Sequence, residues 1–181
     1  MLDPAVGTLI DLGGAALLAS AAIHKLGDFD RFATVFAAYR ISPARGSRGV
    51  AALVPAVELA IAFALPWPRT HRAAALCAGA LLALYGVAIA LNLARGRRDL
   101  DCGCGGPRDR RRIAPWMVWR NALVAAWLVA AAVLPWSSRP LAAVDVLTLG
   151  GGLFAMTVLY RTLDRLMGEI APKGFAMRGI R

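Results

Sequence analysis

The sequence predicts an all-α fold, a polytopic transmembrane helix bundle with a four-helix core plus a fifth C-terminal span. Three observations lead there. Hydrophobic residues fill 59% of the 181 positions and the mean hydropathy is +0.58, too apolar for an ordinary water-soluble domain. The apolar residues come in unbroken runs of about 20, the length of helix that crosses a bilayer core. The basic residues crowd into particular connections instead of spreading along the chain. A net charge of +10 would suggest nucleic acid in a soluble chain. Arranged this way it reads as membrane topology, with the lipid bilayer as partner and no nucleic acid.

Span one covers 5–23 and is apolar except for Asp11. No basic segment precedes it, so although Ala19-Ser20-Ala21 resembles a cleavage site, the helix is expected to remain in place. From His24 to Arg48 the chain is mixed. Phe32, Val35, Phe36 and Tyr39 fall on one helical face, which predicts an amphipathic segment at the interface, ended by Pro43 and Gly46. Span two is 49–67, with Pro55 and Glu58 near its middle. Span three is 73–93, with Cys77 near its start and Asn92 near its end. Span four is 116–134, opened by Arg120 and Asn121, and span five is 141–160, containing Asp145 and a run of three glycines. These spans make one membrane domain over 1–160, followed by a basic tail over 161–181.

Counting Lys and Arg sets the orientation. The four connections carry five, two, seven and one, and the tail carries five. That alternation fits an odd number of spans in the inner (cytoplasmic) membrane, with the N-terminus outside and the C-terminus inside. The 94–115 connection then faces the cytoplasm. Trp67 and Trp136 at outer ends, and Trp116 and Trp119 at an inner end, fit aromatic belts.

Two of the three cysteines lie in that connection, in Leu100-Asp101-Cys102-Gly103-Cys104-Gly105-Gly106, ahead of a basic stretch from Arg108 to Arg112. Gly103 removes the side chain that would most hinder closing so small a ring. A bridge across it would be strained, and strained bridges are the exchangeable ones. The neighbouring arginines favour thiolate while Asp101 opposes it. Three readings stay open: redox exchange, soft-metal binding, and an accidental pair in a flexible loop. Two cysteines supply only half of a four-ligand site and neither histidine shares the loop, so no metal is assigned. Cys77 lies on the other side of the membrane and is expected to be a small buried hydrophobe.

Glu58 is the second informative residue. An acid near the bilayer centre costs on the order of 3 kcal/mol, so it must face the bundle, be protonated or find a partner. His24, Lys25 and Arg120 are within reach on the same side. Such a contact either pins the bundle or forms a proton relay or polar headgroup site beside the cysteines. Asp11 and Asp145 lie near outer ends, where a structural, snorkelling role is expected. Arg120-Asn121 either caps the cysteine loop onto the bundle or biases the thiols. No soluble-enzyme signature is present, neither a Gly-rich nucleotide loop nor a nucleophile elbow.

The His24-Lys25-Leu26 exit from span one, the Pro55-Ala56-Val57-Glu58-Leu59 stretch, Asn92 through Gly96 leading to Cys102-Gly103-Cys104-Gly105, and Arg120-Asn121 follow one another in order. Together, over 15–135, they resemble the MauE/DoxX-like redox-associated membrane family. The resemblance implies a helical bundle that assists maturation of methylamine dehydrogenase, whose small subunit is disulfide-rich, beside a thioredoxin-like partner. It makes Cys102 and Cys104 the redox pair, supported by Lys25, Glu58, Arg120 and Asn121. Two departures stand out: Gly105 replaces the family's usual Phe, and span five lies outside the match.

The leading expectation is therefore a membrane thiol-disulfide component that supports an exported protein, with a thioredoxin-like protein as partner and a quinone as one candidate electron carrier. A small proton-coupled transporter using Glu58, and a non-catalytic assembly subunit, are the alternatives. Disulfides form in the oxidising compartment outside, whereas the charge count places the loop inside. The pair draws reducing equivalents from the cytoplasm, or the loop folds back into the membrane, or the charge rule misleads. The first is preferred, because Lys25, Glu58, Arg120 and the loop then share one membrane half.

Overall fold

The computed structural model describes residues 1–41, 46–103 and 112–170. Six helices follow in order: α1 (Pro4–Gly27), α2 (Phe29–Ala38), α3 (Ser47–Ala64), α4 (His71–Ala94), α5 (Pro115–Val133) and α6 (Ala143–Ile170). All but α2 are long and apolar enough to cross a membrane, as the spacing of apolar runs predicts. The short α2 is the amphipathic segment.

Local chemistry sets the helix ends. Asp3 caps α1, accepting the Ala5 N–H at 2.9 Å, and Pro4 takes the first turn, where its missing N–H costs nothing. Asp28 ends α1 and starts α2 by accepting the Arg31 N–H at 3.3 Å. Arg40, with φ at +52°, turns the chain away after α2.

The core is built from α1, α3, α4 and α5. α4 packs most extensively on α5 and α1 on α3. In lipid no hydrophobic gain separates helix contacts from lipid contacts, so small residues that permit close approach decide the seams. Gly79 shows this: a Cβ there would lie 2.8 Å from Val129 Cγ2 and 3.3 Å from the Ala125 carbonyl. Gly14 performs the same service for Leu128, at 2.8 Å. Leu18, Ile61, Leu65, Leu82 and Leu128 fill the middle of the bundle with Ala75, Ala78 and Ala131. Phe63, Leu84, Leu123 and Trp127 point outward, towards the lipid.

The fifth span sits differently. α6 packs on α1 through Gly152 against Leu9 and Gly13 against Met156, and most of its apolar surface is exposed. An ionic contact pins it towards each end: Asp145 to Arg139 (2.7 Å) and Asp164 to Arg120 (2.6 Å). Cys77 corrects the sequence reading. It is exposed on α4, not buried, because Ala74, Ala75, Ala78 and Gly79 occupy the inward face.

The chain order puts α2, the start of α3, the end of α4, the cysteine loop and the start of α5 at one end of the bundle. The N-terminal segment, the α3–α4 turn and the α5–α6 connection form the other.

Candidate functional site

At the loop end, the last turn of α1 delivers Lys25 and α3 delivers Glu58. Their side chains form an ion pair, 3% and 0% exposed. Tyr85 of α4 donates its hydroxyl to the same carboxylate oxygen, Glu58 Oε1, at 2.8 Å. The Lys25 ammonium also lies 5.0 Å from the Tyr85 ring centroid and 5.5 Å from that of Phe32, so two aromatic faces and a carboxylate surround it. Glu58 Oε2 is buried without a protein partner among the described residues. Pro55, fully buried one turn before Glu58, has no N–H to donate to the Ala51 carbonyl. A buried pair of this kind contributes little to net stability, yet breaking it leaves an uncompensated charge.

The cysteine loop is docked beside this group. Arg31 Nη2 reaches Asp101 Oδ2 at 2.5 Å, and Asp101 Oδ1 accepts the Gly103 N–H at 3.0 Å. Gly103 adopts φ +72°, and a Cβ on it would lie 3.1 Å from Val35 Cγ1. Its glycine identity is thus required twice, by the left-handed backbone and by the approach to α2. The loop's ends are joined by the Ile113 N–H donating to the Leu100 carbonyl at 2.9 Å. Cys102, partly buried, packs against the cluster of Tyr39, Ile89, Ile113 and Met117. Cys104 lies outside the described residues.

A narrow cleft links the two groups. It is lined by His24, Lys25, Asp28, Arg31, Phe32, Val35 and Gly103, and it has room for about one water molecule. Behind it, Asn92 fastens α2 to α4. Its Nδ2 donates to the Tyr39 carbonyl at 3.3 Å, and Arg97 donates both to Asn92 Oδ1 and to the Ala38 carbonyl at 2.8 Å.

Lys25, Glu58 and Cys102 thus gather at one end, while Arg120 and Asn121 do other work. Arg120 is not the partner of Glu58. It pairs with Asp164 and lies over the rings of Trp116 (5.0 Å) and Tyr160 (5.5 Å), clamping α6. Asn121 is buried and returns its Nδ2 to the Met117 carbonyl at 2.9 Å, on the seam with Gly86. Sequence reasoning missed Tyr85 and Arg31. A lone hydroxyl inside the apolar third span was a signal for Tyr85; the spacing of Arg31 on α2 gave none.

The opposite end holds a second polar set. Asp11 is buried, not snorkelling, and its Oδ2 lies 3.4 Å from His71 Nδ1. The His71 ring packs on Trp136 with centroids 4.6 Å apart. Outside it, Arg139 holds Asp3 through two hydrogen bonds, of 3.0 and 2.8 Å. These bonds keep the Asp3 carboxyl below the usual carboxylate range.

Five helices able to cross a membrane, with a buried Lys–Glu–Tyr group beside a docked, cysteine-bearing loop, define a multi-pass membrane protein. Comparison with known proteins gives the particular family. The family model described as methylamine utilisation protein MauE matches residues 3–137, and the chain belongs to that family. It is 42% identical over 146 residues to the methylamine utilization protein MauE of Paracoccus versutus, covering 81% of this chain and 77% of that one. It is 34% identical over 172 residues to the one of Methylophilus methylotrophus, covering 94% and 90%. With that of Methylorubrum extorquens it shares 36% over 135 residues, covering 71% and 73%. No solved structure matches.

Proposed function

We propose that this chain is a membrane accessory protein of methylamine utilisation whose Cys102 and Cys104 exchange disulfides in support of an exported protein. The family membership supports the first half of that reading. The second half rests on one observation: the segment carrying Cys102 is docked on α2 by Asp101 and Gly103, at the mouth of the cleft that ends on Lys25. A loop of no consequence needs neither a dedicated ion pair nor a left-handed glycine pressed on a helix.

The exchange balances within the thiol chemistry itself. The thiolate of one cysteine attacks a partner's disulfide, forming a mixed disulfide and expelling one partner thiolate. The second cysteine then closes the pair and expels the other, so the pair is oxidised and the partner reduced. The protons leave the two attacking thiols and go to the two expelled thiolates. A thioredoxin-like protein in its dithiol form resets the pair by the same two exchanges and is itself oxidised to a disulfide. The water-sized cleft does not fit a quinone ring, and no step here passes through one.

In this account Lys25 and Glu58, with Tyr85, hold a charged, hydrogen-bonded floor beneath the loop, while Arg120 and Asn121 support the bundle. The charge distribution supports an N-out, C-in orientation in the cytoplasmic membrane, with the loop and the basic tail inside. The transporter alternative is weakened by the middle of the bundle. Between the Lys25–Glu58 and Asp11–His71 groups the buried described residues, among them Leu18, Leu65, Leu82 and Leu128, are apolar and offer no proton path.

The test is trapping. Cys104→Ser and Cys102→Ser variants, acid-quenched and alkylated in growing cells, should each alter a mixed disulfide with a thioredoxin-like protein on the side of the membrane that the loop faces. Full maturation of the exported protein in cells that carry the doubly substituted chain would refute the reading.

A further inference from the structure

Arg31 is the charged residue at which, among the described residues, the cysteine loop, α2 and the cleft converge. Its backbone is fixed, because it occupies the first turn of α2 and its N–H is held by Asp28. Its guanidinium binds one oxygen of Asp101, and the other oxygen holds the Gly103 amide. The Asp101 carboxylate therefore brackets Cys102, from the residue before it to the residue after it. A carboxylate one residue from a thiol opposes the thiolate, and an opposite charge on that carboxylate cancels the effect while leaving both oxygens in place as acceptors.

We propose that Arg31 is the positioning residue for Cys102, neutralising Asp101 so that the same carboxylate shapes the loop without suppressing the thiolate. The inference rests on the reading of Cys102 as a reactive thiol. Among the described residues, the other charged groups near this region are engaged elsewhere or set back. Lys25 from α1 is paired with Glu58, Asp28 is turned to the α2 N-terminus, and Arg112 binds Asp99 at 2.8 Å. His24 lines the cleft, and the cluster against which Cys102 packs takes apolar residues from α4 and α5, Ile89 and Met117. The Arg31–Asp101 pair is thus the local charge setting that a substitution changes directly.

The experiment measures how fast Cys102 reacts with a maleimide between pH 5.5 and 9. It uses the full chain in native membranes, with Cys77 and Cys104 replaced by serine. Arg31→Ala should raise the pH of half-maximal rate and slow labelling at pH 7 about three- to tenfold, since each unit of displacement is tenfold in thiolate. Asp101→Asn keeps an accepting oxygen and removes the charge, so it should label at least as fast as the parent. The double variant should return to within about twofold of the parent. Arg31→Gln serves in its place if Arg31→Ala does not accumulate, and Arg31→Lys, which keeps the charge, should label within about twofold of the parent.

Identical pH profiles for all variants would overturn the proposal. So would faster labelling of Arg31→Ala at every pH with an unmoved midpoint, because Arg31 would then be only a strap. These profiles do not depend on any partner. A normal set of profiles alongside an absence of mixed disulfides would sink the exchange function and leave the role of Arg31 standing.

Discussion

Replacing Lys25 by methionine removes one charge from a group whose carboxylate is wholly out of contact with solvent. Glu58 would keep the Tyr85 hydrogen bond and lose its only counter-charge among the described residues. Breaking a buried pair from one side costs about 3–5 kcal/mol, because the remaining charge is left desolvated. For a chain of this length that corresponds to roughly 6–20 °C in thermal midpoint. Removing both members, as Lys25→Met with Glu58→Leu, removes the hydrogen bond from Tyr85 to Glu58 and leaves no unpaired charge of the pair behind, a cost of about 1–3 kcal/mol. The double variant should therefore be more stable than either single one. Thermal unfolding of the detergent-solubilised protein, followed by loss of the monodisperse species, reads this directly. A Lys25→Met variant within about 2 °C of wild type, or a double variant destabilised by the sum of the singles, would refute the reasoning.

Three further outcomes follow from the same geometry. Gly103→Ala puts a Cβ at φ +72° and 3.1 Å from Val35, costing about 1–2 kcal/mol from the backbone alone. It should undock the loop, and Cys102 should be alkylated several-fold faster. Arg120→Asp should loosen α6 by about 1–3 kcal/mol, and adding Asp164→Arg should restore much of it; cysteine cross-linking between α5 and α6 measures the recovery. Because Arg139 holds the Asp3 carboxyl below its usual range, the clamp between the N-terminus and the α5–α6 connection is present above about pH 4 and is lost as pH falls through the native value. Fluorescence assigned to Trp136, by difference from Trp136→Phe, should change in that acid range in wild type but not in Arg139→Gln.

Helices were legible where one physical rule dominates. Runs of about 20 apolar residues in a bilayer permit little but helix, and the face shared by Phe32, Val35, Phe36 and Tyr39 marked α2. Glu58 declared itself through cost, and Lys25 was among its foreseeable partners. What stayed hidden depends on rotation and on distance along the chain. Which side of α4 turns inward was not readable from a run apolar all round, so Cys77 was misplaced. The Arg120–Asp164 pair is not readable from the span pattern, because Asp164 lies beyond Tyr160, where the apolar run of the fifth span stops; α6 runs on to Ile170. Asp11 reads as a terminal acid until His71, sixty residues away in the chain, closes over it.

The most direct test of the central claim is thiol labelling in intact cells with a membrane-impermeant maleimide, before and after reduction, comparing wild type with Cys102→Ser and Cys104→Ser. The account predicts that the pair labels only after reduction, and only once the membrane is permeabilised. A pair that labels fully without reduction in every growth condition would contradict the exchange function. Labelling of reduced intact cells would place the loop outside and overturn the orientation.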